Sequence, residues 1–262
     1  MNDLKKSFLL AAVVALIQNM AHIGAPITNM VGFLMQRMNY IGVLIDTAHM
    51  LNLCVQLFQV MVFEIVFGVY MYRHFCTACV YYFSRQDNRK KWFVKECVKL
   101  LGYSFSYFVF SALIYLAVGI TVCHVPISVE HIEAIFYIIV LPALYTFVFT
   151  LWINVLSVVL GGANAFVFMA ALQYLLTFLI LLSERELTLY NLGTWKLYWN
   201  PVANMILDWH SDISGVQGIL EAPFLAHNSL IYYIVITVIS ILAAMLLIGK
   251  QDISLENKEE RG

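Results

Sequence analysis

Charge is what this sequence lacks. Of its 262 residues only 12% are Asp, Glu, Lys or Arg, about half the share found in soluble domains. Acids and bases nearly cancel, at a formal net charge of -1, so no strong field points to nucleic acid or another charged partner. Proline is scarce, with five residues, and no repeat or low-complexity tract interrupts the chain. The five cysteines (Cys54, Cys76, Cys79, Cys97 and Cys123) are odd in number and scattered, which is not a disulfide framework. Catalytic signatures are missing too. There is no G-x-x-x-x-G-K-[ST] phosphate loop, no G-x-S-x-G elbow and no H-E-x-x-H zinc motif. Cys76 and Cys79 form a lone C-x-x-C without a second pair, and read as ordinary small apolar residues one helical turn apart.

What is abundant is apolar surface. The chain is 62% hydrophobic, with 18 Phe, 15 Tyr and 11 Met, more than a soluble globule can bury. The class that fits is an all-α polytopic membrane protein. A span needs about 20 apolar residues, and six segments qualify. They run from about Leu4 to Ile23, Met50 to Tyr72, Val98 to Val122, Ile132 to Leu156, Ala165 to Leu182 and Ser229 to Ile248. The basic start before the first segment, with no small-residue cleavage site closing it, reads as a retained first span and not a removed signal peptide.

Basic residues set the expected orientation. Lys5 and Lys6 precede the first span, seven Lys and Arg lie between Arg73 and Lys99, and Lys250, Lys258 and Arg261 close the chain. With both termini cytoplasmic, twelve of the fifteen basic residues face the cytoplasm, as the positive-inside rule requires. Arg37, Arg185 and Lys196 then face out. The outer stretch 183–228 carries Trp195, Trp199, Trp209, Pro201 and Pro223. A segment so long and apolar reads as a re-entrant or interfacial hairpin before the last span. Asn200-Pro201 opens a short helix there. Gly161-Gly162-Ala163-Asn164 reads as the tight turn between spans four and five. No soluble domain splits off, and residues 1–262 form a single transmembrane domain.

Polar residues inside spans are the candidates for function. Glu64 is the one carboxylate well inside a span; such groups face the protein interior or a cavity. It is either a proton-coupling or gating group, or a carboxyl paired with a neighbouring span or subunit or kept protonated. Gln56, Gln59 and Asn154 are, with Glu64, the candidate translocation path. Interhelical hydrogen bonding is the plainer role for the amides. Outside the spans, Asp208, His210 and Asp212 are the best residues for a membrane-embedded lipid-modifying enzyme, though metal sites need three or four ligands.

The segment 73–97 concentrates positive charge. Phe75, Tyr81, Tyr82 and Phe83 suit the interface, Ser84 to Lys91 project from it, and Trp92-Phe93 follow. Attraction to anionic lipid, about 1 kcal/mol per basic residue, accounts for part of this pattern. The segment also resembles the first intracellular loop of type-2 ABC exporter permeases. Thr77, Asn88-Arg89 and Lys95 match that pattern, while Arg73 stands where the family has Glu and Cys76 where it has Gly. The Asn200-Pro201 stretch resembles the family's outer hairpin, and the size resembles the small bacterial permeases of peptide-antibiotic export and immunity.

The resemblance implies a non-catalytic permease subunit of the bacterial plasma membrane. It would pair with a second permease copy or paralogue and with two cytoplasmic ABC ATPase subunits. ATP and Mg would bind on those partners, with no cofactor or metal on this chain. Phe83, Ser84, Arg85, Asn88, Arg89, Lys91 and Trp92 would couple it to the ATPase. The substrate would be hydrophobic or amphipathic, a peptide such as an antimicrobial peptide. The rivals are an ion-coupled secondary carrier using Glu64 and the lipid-modifying enzyme.

Overall fold

The computed structural model describes residues 3–21, 29–38, 57–74, 89–190, 198–210, 212–213 and 225–250, with 181–190 described by their backbone alone. Eight α-helices form among them: α1 (Asp3–Ala21), α2 (Met30–Met38), α3 (Phe58–Phe67), α4 (Arg89–Thr121), α5 (Ile132–Leu160), α6 (Gly162–Tyr190), α7 (Pro201–Met205) and α8 (Ala226–Lys250). Short 3-10 turns cover Val129–His131 and Leu207–Trp209. No strand occurs among the described residues.

Four stretches are long and apolar enough to cross a membrane: Lys90–Thr121, Ile132–Leu160, Gly162–Ile180 and Ala226–Ile248. They coincide with the third to sixth expected segments. α5 is the centre and packs on α3, α4, α6 and α8, while α1 lies along α4. Most of α5 is buried, from Ala134 to Ser157. α6 and α8 instead expose apolar faces, with Val167, Phe168, Leu175 and Phe178 on one and Ile231, Ile234, Val238 and Leu242 on the other. Faces at that helical spacing suit contact with lipid chains or another apolar helix.

Three boundaries differ from the hydropathy reading. α4 begins at Arg89, so the end of the basic 73–97 segment is already helix. Phe93, Cys97 and Leu100 are buried at helical spacing, and their packing extends the helix beyond its apolar length. α6 continues to Tyr190, past Leu182. α2, within a stretch expected only to connect spans, is a buried helix. Gly119 of α4 makes room for it: a Cβ there would come within 3.1 Å of Met30 and Phe33. Arg37 of α2 is 4% exposed, with its guanidinium 4.9 Å from the centre of the Phe33 ring.

The turn between α5 and α6 is as tight as its glycines suggest. Gly161 alone separates the helices, at φ 81°, a conformation that disfavours any side chain. Gly162 lies against Val69, where a Cβ would meet Val69 Cγ1 at 2.8 Å.

Candidate functional site

Four clusters of buried polar side chains among the described residues bear on function. The first surrounds Glu64, which α3 places in the interior at 1% exposure. Gln173 of α6 reaches it, Nε2 donating to Oε1 at 3.0 Å and to Oε2 at 2.8 Å. Tyr145 of α5 donates its hydroxyl to Gln173 Oε1 at 2.9 Å. Three helices therefore meet in one chain of hydrogen bonds, Tyr145 to Gln173 to Glu64. Gln173 is fully buried, so its amide orientation is set by these two neighbours.

The second cluster is Asn154. Its Oδ1 accepts from the backbone N–H of Met71 at 2.7 Å and of Tyr72 at 3.2 Å. Its Nδ2 donates to the carbonyls of Phe67 at 2.9 Å and Thr150 at 2.8 Å. An unbroken helix would join Met71 N–H to Phe67 C=O directly. Here α3 stops at Phe67, a turn occupies 68–69, and helix resumes at 70–74. The Asn154 amide is inserted into the broken ladder and satisfies both sides. Gly68 permits the approach, since a Cβ there would lie 3.0 Å from Ile153 Cγ2. Gln59 is the opposite case. It is 1% exposed, and among the described residues neither Nε2 nor Oε1 has a hydrogen-bond partner.

The third cluster ties the basic segment to the bundle. Glu96 of α4 is buried, accepts from Lys99 Nζ at 2.6 Å and lies 3.4 Å from His74 Nδ1. The His74 ring lies 4.4 Å from that of Tyr70, tilted by 59°. The helical residues before 75 and those of α4 are thus linked through the His74–Glu96 contact. Lys90, Lys91 and Lys95 are exposed, and Trp92 packs half-buried against the core.

The fourth cluster lies at the opposite end, where 198–213 fold back against α6 and α8. Asn200 caps α7, accepting from Val202 N–H at 2.9 Å, and its Nδ2 donates to Leu176 C=O at 2.8 Å. Asn204 donates to the carbonyls of Tyr198 and Asn200, each at 2.9 Å, and its Oδ1 accepts from Ser229 at 2.9 Å. His210 Nε2 lies 2.9 Å from the Ser229 hydroxyl and Nδ1 3.2 Å from the Leu207 carbonyl. Burial drives the His210 imidazole well below its ordinary range, to about 4, against the opposing pull of the Leu207 carbonyl and Asp212. Asp212 caps α8, accepting from Ala226 N–H at 2.9 Å. Among the described residues no three His, Cys, Asp or Glu side chains gather as a metal site.

The sequence-derived candidates sort as follows. Gln59, Glu64 and Asn154 are buried on α3 and α5 but belong to separate clusters. Arg89 opens α4, and Lys91 and Trp92 follow on its first turn. Gln56, Phe83, Ser84, Arg85 and Asn88, with the Cys76–Cys79 pair, lie outside the described residues. Gln173 and Tyr145 were not singled out by the sequence. Depth was the available signal: Glu64 is eight residues from the end of its segment at Tyr72 and Gln173 eight from the start of its own at Ala165, about 12 Å in each case.

Comparison with protein-family models, with curated proteins and with solved structures returned no match.

Proposed function

We propose that this chain is the membrane-spanning permease subunit of an ATP-driven exporter of the ABC class, moving a hydrophobic or amphipathic substrate such as a peptide. The observation that carries the reading is the anchoring of the basic segment. His74, in the helical stretch that follows α3, lies 3.4 Å from Glu96 of α4, whose carboxylate is also held by Lys99 of the same helix. A cytoplasmic partner that pushes on residues between them then moves two helices together, not a slack loop. Lys90, Lys91 and Lys95 present positive charge where that partner would sit. α1 and the segment 50–72 that contains α3 supply the first two of six spans, with both termini cytoplasmic, and the outer hairpin 183–228 carries the re-entrant part before the last span.

In this reading ATP closes a dimer of ATPase subunits. Residues Phe83 to Trp92 receive the motion, and their different contacts with the open and closed ATPase carry the coupling. Two permease copies, or a pair of paralogues, rearrange around a shared path. The test is affinity purification of the tagged full chain in mild detergent. A stoichiometric subunit with a phosphate-loop ATPase is expected, and it is lost on Arg85→Glu, Arg89→Glu and Lys91→Glu together. A chain that purifies alone under gentle conditions overturns the reading.

A further inference from the structure

The Glu64 cluster has a property that a purely structural bond network does not need. Its carboxyl lies on α3 in the bundle interior and, among the described residues, has one polar side-chain partner, the neutral amide of Gln173. In the observed arrangement Nε2 donates to both carboxyl oxygens, which suits a carboxylate. A protonated carboxyl needs an acceptor for its O–H, and this amide orientation presents none. Turning the Gln173 amide over supplies it: Oε1 then accepts from Glu64, and Nε2 donates to the Tyr145 hydroxyl oxygen. The same three side chains can thus bond in two complementary ways that differ by one proton.

We propose that Glu64, Gln173 and Tyr145 form a proton-binding site inside the bundle, in which the Gln173 amide turns over as Glu64 gains or loses its proton. The ligand is a proton and not a metal ion, because the site offers one carboxylate where a metal needs several ligands. Tyr145 from α5 is the titratable side chain beside it. α6 contributes the uncharged Gln173. Tyr103 and Tyr107 of α4 lie against Phe67 and Phe63, on neighbouring positions of α3. α1 carries its charges, Asp3, Lys5 and Lys6, in its first turn. Gln173 and Tyr145 are positioning residues that act through the carboxyl. The inference stands independently of the exporter reading, since it concerns the occupancy of one carboxyl and not what powers transport.

The test is infrared difference spectroscopy of the full chain in lipid nanodiscs between acid and alkaline pH. The expected result is a protonated-carboxyl stretching band that disappears on alkalinisation and is missing in Glu64→Gln. Gln173→Leu and Tyr145→Phe keep Glu64 and should move the midpoint of that band, Gln173→Leu by about one pH unit, a tenfold change in proton affinity. Glu64→Gln is nearly isosteric, and its folding is checked by a cooperative thermal transition. If it fails to fold, the midpoint shifts in the other two variants decide. A wild-type chain with no Glu64 signal that changes with pH, or a midpoint unmoved by both variants, overturns the proposal.

Discussion

Replacing Asn154 with leucine is the most demanding test of the packing described above. Leucine has nearly the shape of asparagine and none of its polarity. The substitution leaves the Met71 and Tyr72 N–H groups, which donate to Oδ1 at 2.7 and 3.2 Å, without an acceptor inside the bundle. It also removes the donor to Phe67 C=O. An orphaned buried donor costs about 1–3 kcal/mol, whereas measured side-chain bonds between membrane helices average about 0.6 kcal/mol. Partial rewinding of residues 68–72 recovers some of the loss, but Gly68 is held close to Ile153, which limits that relaxation. We expect a net loss of about 2–4 kcal/mol. The assay is unfolding in mixed micelles by denaturing detergent, followed through tryptophan fluorescence. Hydrogen exchange at Met71 and Tyr72 should accelerate in parallel. Asn154→Asp separates the two halves of the amide: it keeps an acceptor but sets a second oxygen against two carbonyls, so its deficit should deepen as pH rises. A loss below about 0.5 kcal/mol for Asn154→Leu, within the range of an ordinary surface change, would refute the idea that this side chain repairs the break.

Gln59→Met should behave in the opposite sense, leaving stability unchanged or raised by about 1 kcal/mol, because it removes a buried amide with no partner; a clear loss in the same titration would show that Gln59 has a bond of its own. His210 makes stability depend on pH. Its folded-state value is depressed to about 4 from an ordinary value near 6.5, so the unfolded chain binds the extra proton. Stability is then complete above about pH 6.5 and falls as pH drops toward 4, by at most about 1.4 kcal/mol per unit. His210→Gln should flatten that dependence in a pH series of melts, and an unchanged slope would contradict the assignment. Gly162→Ala should destabilise by about 1 kcal/mol through its 2.8 Å encounter with Val69. Val69→Ala in the same chain should restore the loss, and a stabilised single variant would show that the turn has slack.

The sequence alone determined where this chain is apolar and where it must turn. Four spans, expected from about Val98, Ile132, Ala165 and Ser229 and found within Lys90–Thr121, Ile132–Leu160, Gly162–Ile180 and Ala226–Ile248, were legible because long apolar runs are a local property. So was the turn at Gly161-Gly162, where Gly161 takes the positive φ that favours glycine. The short helix opened at Asn200-Pro201 was legible too, because proline suits a first helical turn. Tertiary structure decided the rest. Glu64 was visible as an oddity, but its partner Gln173 lies 109 residues away, and nothing local to either names the other. Asn154 looked like any polar span residue until packing set it opposite the break after Phe67, and Gln59, equally amide and equally buried, was left with no partner. The burial of α2 depends on the missing side chain of Gly119 on another helix. Hydropathy records what each segment avoids, whereas the partners of polar groups depend on which helices meet and at what depth. That depends on the shapes of all the surfaces that pack.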